Sequence, residues 1–408
     1  MKHDSDVIVT GGGLNGPALA LALAGAGLTV TVIDGQPPRA RAEAAFDGRA
    51  YALAIGSKRL LSAIGVWDRV ARQVQPIVEI KASDGRPGEG SGTGFLHFDS
   101  AEIEEGPMGF MLEDRHLYAA LLGAMQAEPR ITLISATNVV AQAPSAAGIG
   151  VTLADGRQVA GRVLAGCDGR RSGSAERAGI GRTGWDYGQT ALVCAVAHAR
   201  PHRGTAYQFF MPSGPLAILP LQGDRASIVW SETTGSARAI AALDDAAFLA
   251  LLAPRFGDFL GDIRLEGARF SYPLNLTLAQ SYVAPRLALV GDAAHGVHPI
   301  AGQGLNMGLR DVGALAEVLV SASRRGEDIG AADVLARYQG WRRFDATALA
   351  LGMDAVNRLF SNDNPALRAG RDLGLGLVNA LPGLRRAFIR QAAGLSGDMP
   401  KLLAGRRL

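Results

Sequence analysis

The chain has 408 residues, 48% of them hydrophobic and 19% charged, with a formal net charge of +3 at pH 7. That apolar share builds a sizeable core, the 53 glycines follow no collagen-like period, and the length implies more than one domain. Disorder, a repeat array and a dedicated nucleic-acid binder are thereby excluded, although the charge is uneven: residues 337–408 carry twelve Lys/Arg against five Asp/Glu.

From the N-terminus, Asp6–Thr10 reads as a buried strand, a Gly11-Gly12-Gly13-Leu14-Asn15-Gly16 turn follows at once, and Leu14–Ala26 reads as a helix. A second strand, Thr29–Ile33, ends at Asp34. This is the dinucleotide fingerprint: Gly11 permits the tight turn, Gly13 lets a pyrophosphate approach the backbone, Gly16 permits close helix–strand packing, and the Asp34 carboxylate suits a ribose diol. Pro17 is tolerated because the first helical turn needs no N–H there. The first strand begins so early that no signal peptide is expected, and the longest apolar stretch is broken by Asn15 and Pro17. Two cysteines, Cys167 and Cys194, form no CxxC pair, which points to a reducing, cytoplasmic compartment.

Further along, Ser83–Gly94 and Pro144–Gly150 read as Gly-, Ser- or Ala-rich loops. Strand-like runs at Ile77–Ala82, Leu192–Ala197, Tyr207–Met211, Leu216–Pro220, Ala226–Trp230 and Ala268–Pro273 predict a mostly antiparallel second sheet. Val163–Gly166 is an apolar strand running into Cys167-Asp168-Gly169, by itself an ordinary turn. Leu287–Val290 is another buried strand, ending at Gly291-Asp292. Leu305, Leu309, Val312 and Leu315 then recur at helical spacing, so a helix starts near Gln303 or Gly304, and its first-turn N–H groups suit an anion or an electron-rich carbonyl. His295 and His298 flank that turn; they are read as shaping it or its pocket, with no metal site. Residues 331–408 read as helices, with Leu349, Met353, Val356 and Phe360 on one stripe. Near the end, Leu384, Phe388 and Ile389 share one face, while Arg385, Arg386 and Arg390 lie elsewhere around the helix.

Together, GxGxxG at Gly11–Gly16, Asp168-Gly169 and the late run GDAAHGVHPIAGQGLNMGLRDV resemble the FAD-dependent aromatic hydroxylases of the p-hydroxybenzoate hydroxylase type. HPIAGQGLNMGLRD, Asp47-Gly48-Arg49-Ala50, Glu113-Asp114-Arg115 and the closing Met399–Leu403 are similar to the ubiquinone-biosynthesis hydroxylases within that group. The resemblance implies an α/β fold, with a Rossmann-like FAD-binding domain (1–75, 105–180 and 280–330) interleaved with a mostly antiparallel substrate domain (76–104 and 181–279), plus C-terminal helices (331–408). Bound FAD would be held by Gly11, Gly13, Leu14, Asn15 and Gly16, with Asp34 on the adenosine ribose and Val139 beside the adenine. Arg49 and Arg115 would sit near its pyrophosphate or ribityl oxygens, with Asp168, Gly291 and Asp292 along the ribityl chain. Pro299 would wall the ring pocket, and Gly302, Gln303, Gly304, Leu305 and Asn306 would face the flavin carbonyl edge. One departure stands out: the family often continues Asp-Gly as Ser-x-Val-Arg, whereas Ser172-Gly173-Ser174-Ala175 lacks the arginine, leaving Arg170, Arg171 or Arg177 to substitute.

By the same resemblance, reduced FAD would react with O2 to give a C4a-hydroperoxide, whose distal oxygen passes to the ring of a polyprenylated phenol in ubiquinone biosynthesis. Electrons would come from NAD(P)H or a protein donor. Two alternatives are a soluble hydroxylase of an untailed phenol and a non-catalytic flavin- or lipid-binding subunit. The candidates for handling the phenol are His298, Pro299, Tyr207 and Tyr272, with His198 beside them. Expected partners are the hydrophobic polyprenylphenol, other quinone-biosynthesis proteins and, through the basic C-terminal region, the inner face of the membrane; nucleic acid is not among them.

Overall fold

The computed structural model describes residues 3–38, 48–86, 90–362, 364, 374 and 378–408. Asp47, residues 87–89 of the predicted glycine-rich loop and most of 363–377 lie outside the described residues.

Val7, Ile8 and Val9 are wholly buried, as expected of a strand covered on both faces. That strand, Ser5–Thr10, lies between Gln158–Gly166 and Val30–Asp34; Ile131–Ser135 extends the sheet on one side and Leu287–Leu289 on the other, all five parallel. Register matters more than membership here. Thr10 pairs with Gly166 and Gly166 with Leu289, so the three chain-distant glycine turns leave one edge of the sheet side by side. Ligands of open parallel sheets bind at such carboxyl ends.

A second eight-stranded sheet runs, in spatial order, His295–Gly296, Ile263–Ala279, Arg182–His198, Arg225–Thr233, Gly214–Leu221, Thr205–Met211, Glu79–Arg86 and Gly90–Asp99. It is antiparallel except where Thr205–Met211 meets Glu79–Arg86. Its pleat gives it two different faces. Leu192, Cys194, Phe209, Met211, Ile228 and Trp230 pack with Phe248, Leu252 and Phe256 of the helix Asp245–Phe256, whereas Ala195, Ala206 and Leu221 pack on Ile55 and Met111 of the first lobe. The short His295–Gly296 strand pairs with Leu278 and Thr277, so the turn after Gly291 bridges the two sheets.

Two expectations are corrected. Ser83–Gly94 is not one loop: its two ends belong to the paired strands Glu79–Arg86 and Gly90–Asp99, with Ser83 opposite Phe95, Gly85 opposite Ser91 and Arg86 opposite Gly90. The tail helix, Pro382–Ala392, does not bury one common face, because Ile389 is buried while Leu384 and Phe388 are exposed. In the long helix Ala332–Phe360, Met353 and Phe360 are buried and Leu349 and Val356 half-buried, so the predicted stripe faces inward. Among the described residues, no helix is long and apolar enough to cross a membrane.

Candidate active site

The first glycine turn has no room for side chains. Gly11 adopts φ +102°, and a Cβ there or at Gly16 would overlap the Cys167 or the Gly11 carbonyl oxygen. A Cβ at Gly12 would overlap the Asp34 carboxylate, so the turn and the acid at the end of the second strand are brought together. Gly13 is half-buried and Leu14 buried beside it. Asn15 does something the motif does not announce: its amide is wedged against Gly291 and Gly308, locking the first turn to the last. Val139 begins a strand two residues beyond Thr137, whose N–H donates to the Asp34 carbonyl at 3.2 Å, so it also lies at the Asp34 end.

Around the late turn, Gly302 takes the left-handed conformation (φ +62°) and opens the helix Gln303–Arg324. A Cβ on Gly304 would meet nothing within 4 Å, so the first helical turn faces open space. Asn306 is fully employed in holding this geometry. Its Oδ1 accepts from the Ala54 N–H (2.9 Å) and Ser57 Oγ (2.7 Å), and its Nδ2 donates to the Ala52 and Gly302 carbonyls at 2.8 and 3.0 Å. Pro299 accepts the Gly302 N–H at 3.0 Å, and Gln303 Nε2 reaches the Ala392 carbonyl at 3.5 Å. Crowded glycine turns, an acid at the strand end and an open helix N-terminus fit an extended dinucleotide with a polar ring edge.

Several expected contact residues already have protein partners. Asp168 accepts from Ser172 Oγ and, at 2.8 Å, from the Ser174 N–H, closing the start of the short helix Gly173–Arg177. Arg115 Nε lies 2.8 Å from Glu113 Oε2, and Arg49 Nη2 lies 3.8 Å from Asp114 Oδ2. Ala175, where the family arginine is missing, is buried. Arg170 spans the gap instead: Nε lies 3.2 Å from Asp292 Oδ2, Nη1 3.1 Å from Asn275 Oδ1 and Nη2 2.7 Å from the Val297 carbonyl. Arg177 turns away to Gln142 (3.2 Å), while Arg182, which the sequence did not single out, donates to the Ala293 carbonyl at 2.7 Å.

Behind the turn lies a buried ionic group. Asp311, wholly inaccessible, accepts from the Gly291 N–H (2.9 Å), His295 Nε2 (2.6 Å) and Arg342 Nε (2.8 Å). Burial alone would raise its carboxyl, but His295 and Arg342 overcome that and leave it below the usual range.

On the substrate-sheet side, buried polar atoms are left without partners among the described residues: both ring nitrogens of His298, Tyr187 Oη, Ser231 Oγ and Gln208 Nε2. His298 packs edge-on to Tyr187, centroids 5.3 Å apart, and burial together with the Arg170 charge pulls its imidazole down to about 4, so it is neutral at pH 7. Gln189 bridges Asn357 Nδ2 (3.0 Å) and the Ser213 carbonyl (2.9 Å). A cleft of about 190 Å³ opens beside them, lined by Trp185, Tyr187, Gln189, Asn357, Arg358 and Ser361. Two phenol candidates are corrected. Tyr207 lies on the opposite face of the sheet, its ring tilted against Phe259 with centroids 4.3 Å apart, because the pleat sends its neighbour Gln208 the other way. His198 ends the strand whose other end, Arg182, reaches the turn, and it packs on His202 at 5.5 Å. Tyr272, opposite Ala191, is 40% exposed.

Comparison with known proteins agrees with this geometry. Residues 4–350 match the family described as FAD binding domain. The crystal structure of p-nitrophenol 4-monooxygenase PnpA from Pseudomonas putida DLL-E4 shares the fold, with a TM-score of 0.80, 20% identity and complete coverage of both chains. The fold and site are those of an FAD-dependent aromatic monooxygenase. The chain is 47% identical to ubiquinone hydroxylase UbiL of Rhodospirillum rubrum, covering 98% of this chain and 93% of that one, and 36% identical to 3-demethoxyubiquinol 3-hydroxylase of Escherichia coli, covering 97% and 100%. It belongs to the ubiquinone-biosynthesis hydroxylases, a family of FAD-dependent aromatic monooxygenases.

Proposed function

We propose that this chain hydroxylates the aromatic ring of a polyprenylated phenol on the route to ubiquinone, using O2 and electrons from NAD(P)H or a protein donor, in the cytoplasm at the inner face of the membrane. The observation that carries this reading is the alignment of Thr10, Gly166 and Leu289, which sets three glycine turns side by side at one edge, the last of them bridging to a second sheet whose face bears Gln208 and Ser231 without partners among the described residues. The substrate class rests on the ubiquinone hydroxylases that the chain resembles.

In this reading, segments 1–75, 105–180 and 280–330 bind FAD, while 76–104 and 181–279 hold the phenol. Gly11, Gly13, Leu14, Asn15 and Gly16 admit the pyrophosphate, Asp34 binds the adenosine ribose, and Val139 flanks the adenine. Arg49 and Arg115 balance pyrophosphate charge once they turn from their acidic neighbours. Asp292, held by Arg170, takes the ribityl hydroxyls, with Gly291 and Asp168 beside it. Bound FAD supplies the oxygen activation and the transfer of one oxygen atom to the ring. First-turn N–H groups at Gly302, Gln303, Gly304 and Leu305 stabilise negative charge at the flavin carbonyl edge, and Asn306 fixes their position. Pro299 walls the ring pocket, and neutral His298 accepts a hydrogen bond from the phenol, with Tyr272 at the open side.

The test pairs purified protein with mass spectrometry. Stoichiometric FAD, NAD(P)H-dependent oxygen consumption and a product 16 mass units heavier, about one added oxygen atom, are expected with a polyprenylphenol in detergent, with a slower reaction on an untailed phenol. Protein without FAD, or a null strain with normal quinone and no under-hydroxylated precursor, would overturn the reading.

A further inference from the structure

Of ten exposed large apolar side chains among the described residues, six lie between 344 and 388. Phe344 is 82% exposed, Leu351 45% and Leu359 42%, and the positions between them on the same side of the long helix, Ala348, Gly352 and Ala355, are also exposed and uncharged. At 1.5 Å per residue this is a dry stripe roughly 22 Å long. Folding has no use for it, because the inward face of the same helix is already filled by Tyr338, Ala346, Ala350 and Met353.

The two acids beside the stripe are both paired: Asp345, 39% exposed, meets Arg310, and the more buried Asp354 meets Arg358 and, at 2.9 Å, Trp185 Nε1. Arg343, next to Phe344, is exposed and has no ion pair among the described residues. The tail helix adds a second apolar edge, Leu381, Leu384 and Phe388, at i, i+3 and i+7, with Arg386 exposed beside it. Its other two arginines are already ion-paired: Arg385 with Glu102 and Arg390 with Glu105, both at 2.7 Å. The two helices flank one crevice, with Leu349 on one side and Gln391 on the other. At its far end the stripe reaches the cleft lined by Tyr187, Gln189, Arg358 and Ser361.

We infer that the outer face of the helix Ala332–Phe360, together with the edge of the tail helix, is the surface by which the protein rests on an anionic lipid bilayer, with the cleft at Asn357–Ser361 set down where a membrane-dissolved phenol emerges. An apolar stripe with Arg343 and Arg386 exposed beside it, neither ion-paired among the described residues, and with its own Asp345 and Asp354 neutralised by arginines matches the chemistry of such a surface, where apolar insertion and attraction to acidic headgroups act together. The inference rests on the proposed polyprenylated substrate for its purpose, but the surface itself is tested separately.

The experiment uses full-length, FAD-loaded protein and flotation with vesicles of phosphatidylcholine alone or mixed with phosphatidylglycerol, beside solution mass by light scattering. Binding to the mixed vesicles, weakened by salt, is expected. Phe344→Glu with Leu351→Glu abolishes it, and Arg343→Gln weakens it about fivefold. FAD content and turnover on an untailed phenol stay unchanged, as befits side chains outside the core. Absence of vesicle binding in the parent protein, binding that survives the double substitution, or a dimer that the double substitution dissociates would each overturn the inference. Failure to hydroxylate a detergent-dispersed polyprenylphenol would instead overturn the function, whatever the vesicles show.

Discussion

Two buried polar groups lie near the turn between Gly291 and Gly302, and they are finished to very different degrees. Around Asp311 the carboxylate itself is fully met: three donors converge on it and Arg342 also reaches Asp345, which leaves only His295 Nδ1 and Arg342 Nη2 without a partner among the described residues. Around His298, both ring nitrogens are buried with no partner among the described residues, as are Ser231 Oγ and Gln208 Nε2 on neighbouring strands. An unmet buried polar group costs about 1–3 kcal/mol, so a fold keeps several together only where something else meets them. The first group holds the turn in place; the second is where the proposed phenol would be met.

The sharpest way to break that contrast is Asp311→Ala. Stranding a buried histidine and arginine should cost about 3–5 kcal/mol in denaturant unfolding and release FAD. A cost below about 1 kcal/mol would remove Asp311 as the anchor of the turn.

Acid separates the two groups next. His298 titrates near 4 in the folded protein against 6.5 unfolded, so the unfolded state binds the extra proton and stability falls as pH drops from about 6.5 towards 4, by up to about 3 kcal/mol in all. Asp311, whose carboxyl is depressed, keeps its contribution above the ordinary carboxylate range and loses it only below. Calorimetry on His298→Gln should therefore show a flatter decline across that window. An unchanged profile would contradict the buried, neutral imidazole.

Smaller effects refine the picture. Tyr187→Phe deletes a buried hydroxyl beside Asp354, which keeps Trp185 and Arg358 as partners, so stability should change by less than about 1 kcal/mol while coupling of NAD(P)H oxidation to product falls. Loss of stability with coupling intact would make Tyr187 a structural residue. Smallest of all is Tyr207→Phe: on the far face of the sheet it should leave turnover within about twofold, and a larger loss would count against the assignment of faces.

The sequence made the cofactor side far more readable than the substrate side, for a physical reason. Gly11, Gly16, Gly291 and Gly302 are dictated by backbone geometry, a local constraint that leaves a local signature. Substrate-side residues are chosen by pleat and burial, and Tyr207 and Gln208 differ only in which face a one-residue step assigns them. The seventeen-residue strands Arg182–His198 and Ile263–Ala279 outran their predicted cores because register shifts, including one between Asp186 and Gln189, interrupt the alternation. Arg170 was named among three possible substitutes, but its choice over Arg177 depends on where Asp292 and Val297 come to rest. Asp311 and Arg342 look like ordinary helix charges until their helices meet.

The Asn15 wedge also constrains how the molecule can be made. Its amide is wedged against Gly291 and Gly308, and the first strand has both of its neighbours only once Gln158–Gly166 is laid down beside it. During synthesis the opening strand therefore waits, unpaired on one side, until Gly166 has left the ribosome, and the glycine turn gains its last contacts only after Gly308 has followed. Capture of the flavin can only be a late event in the life of the nascent chain, and the long interval before it is when the protein is most exposed to aggregation and most in need of chaperones.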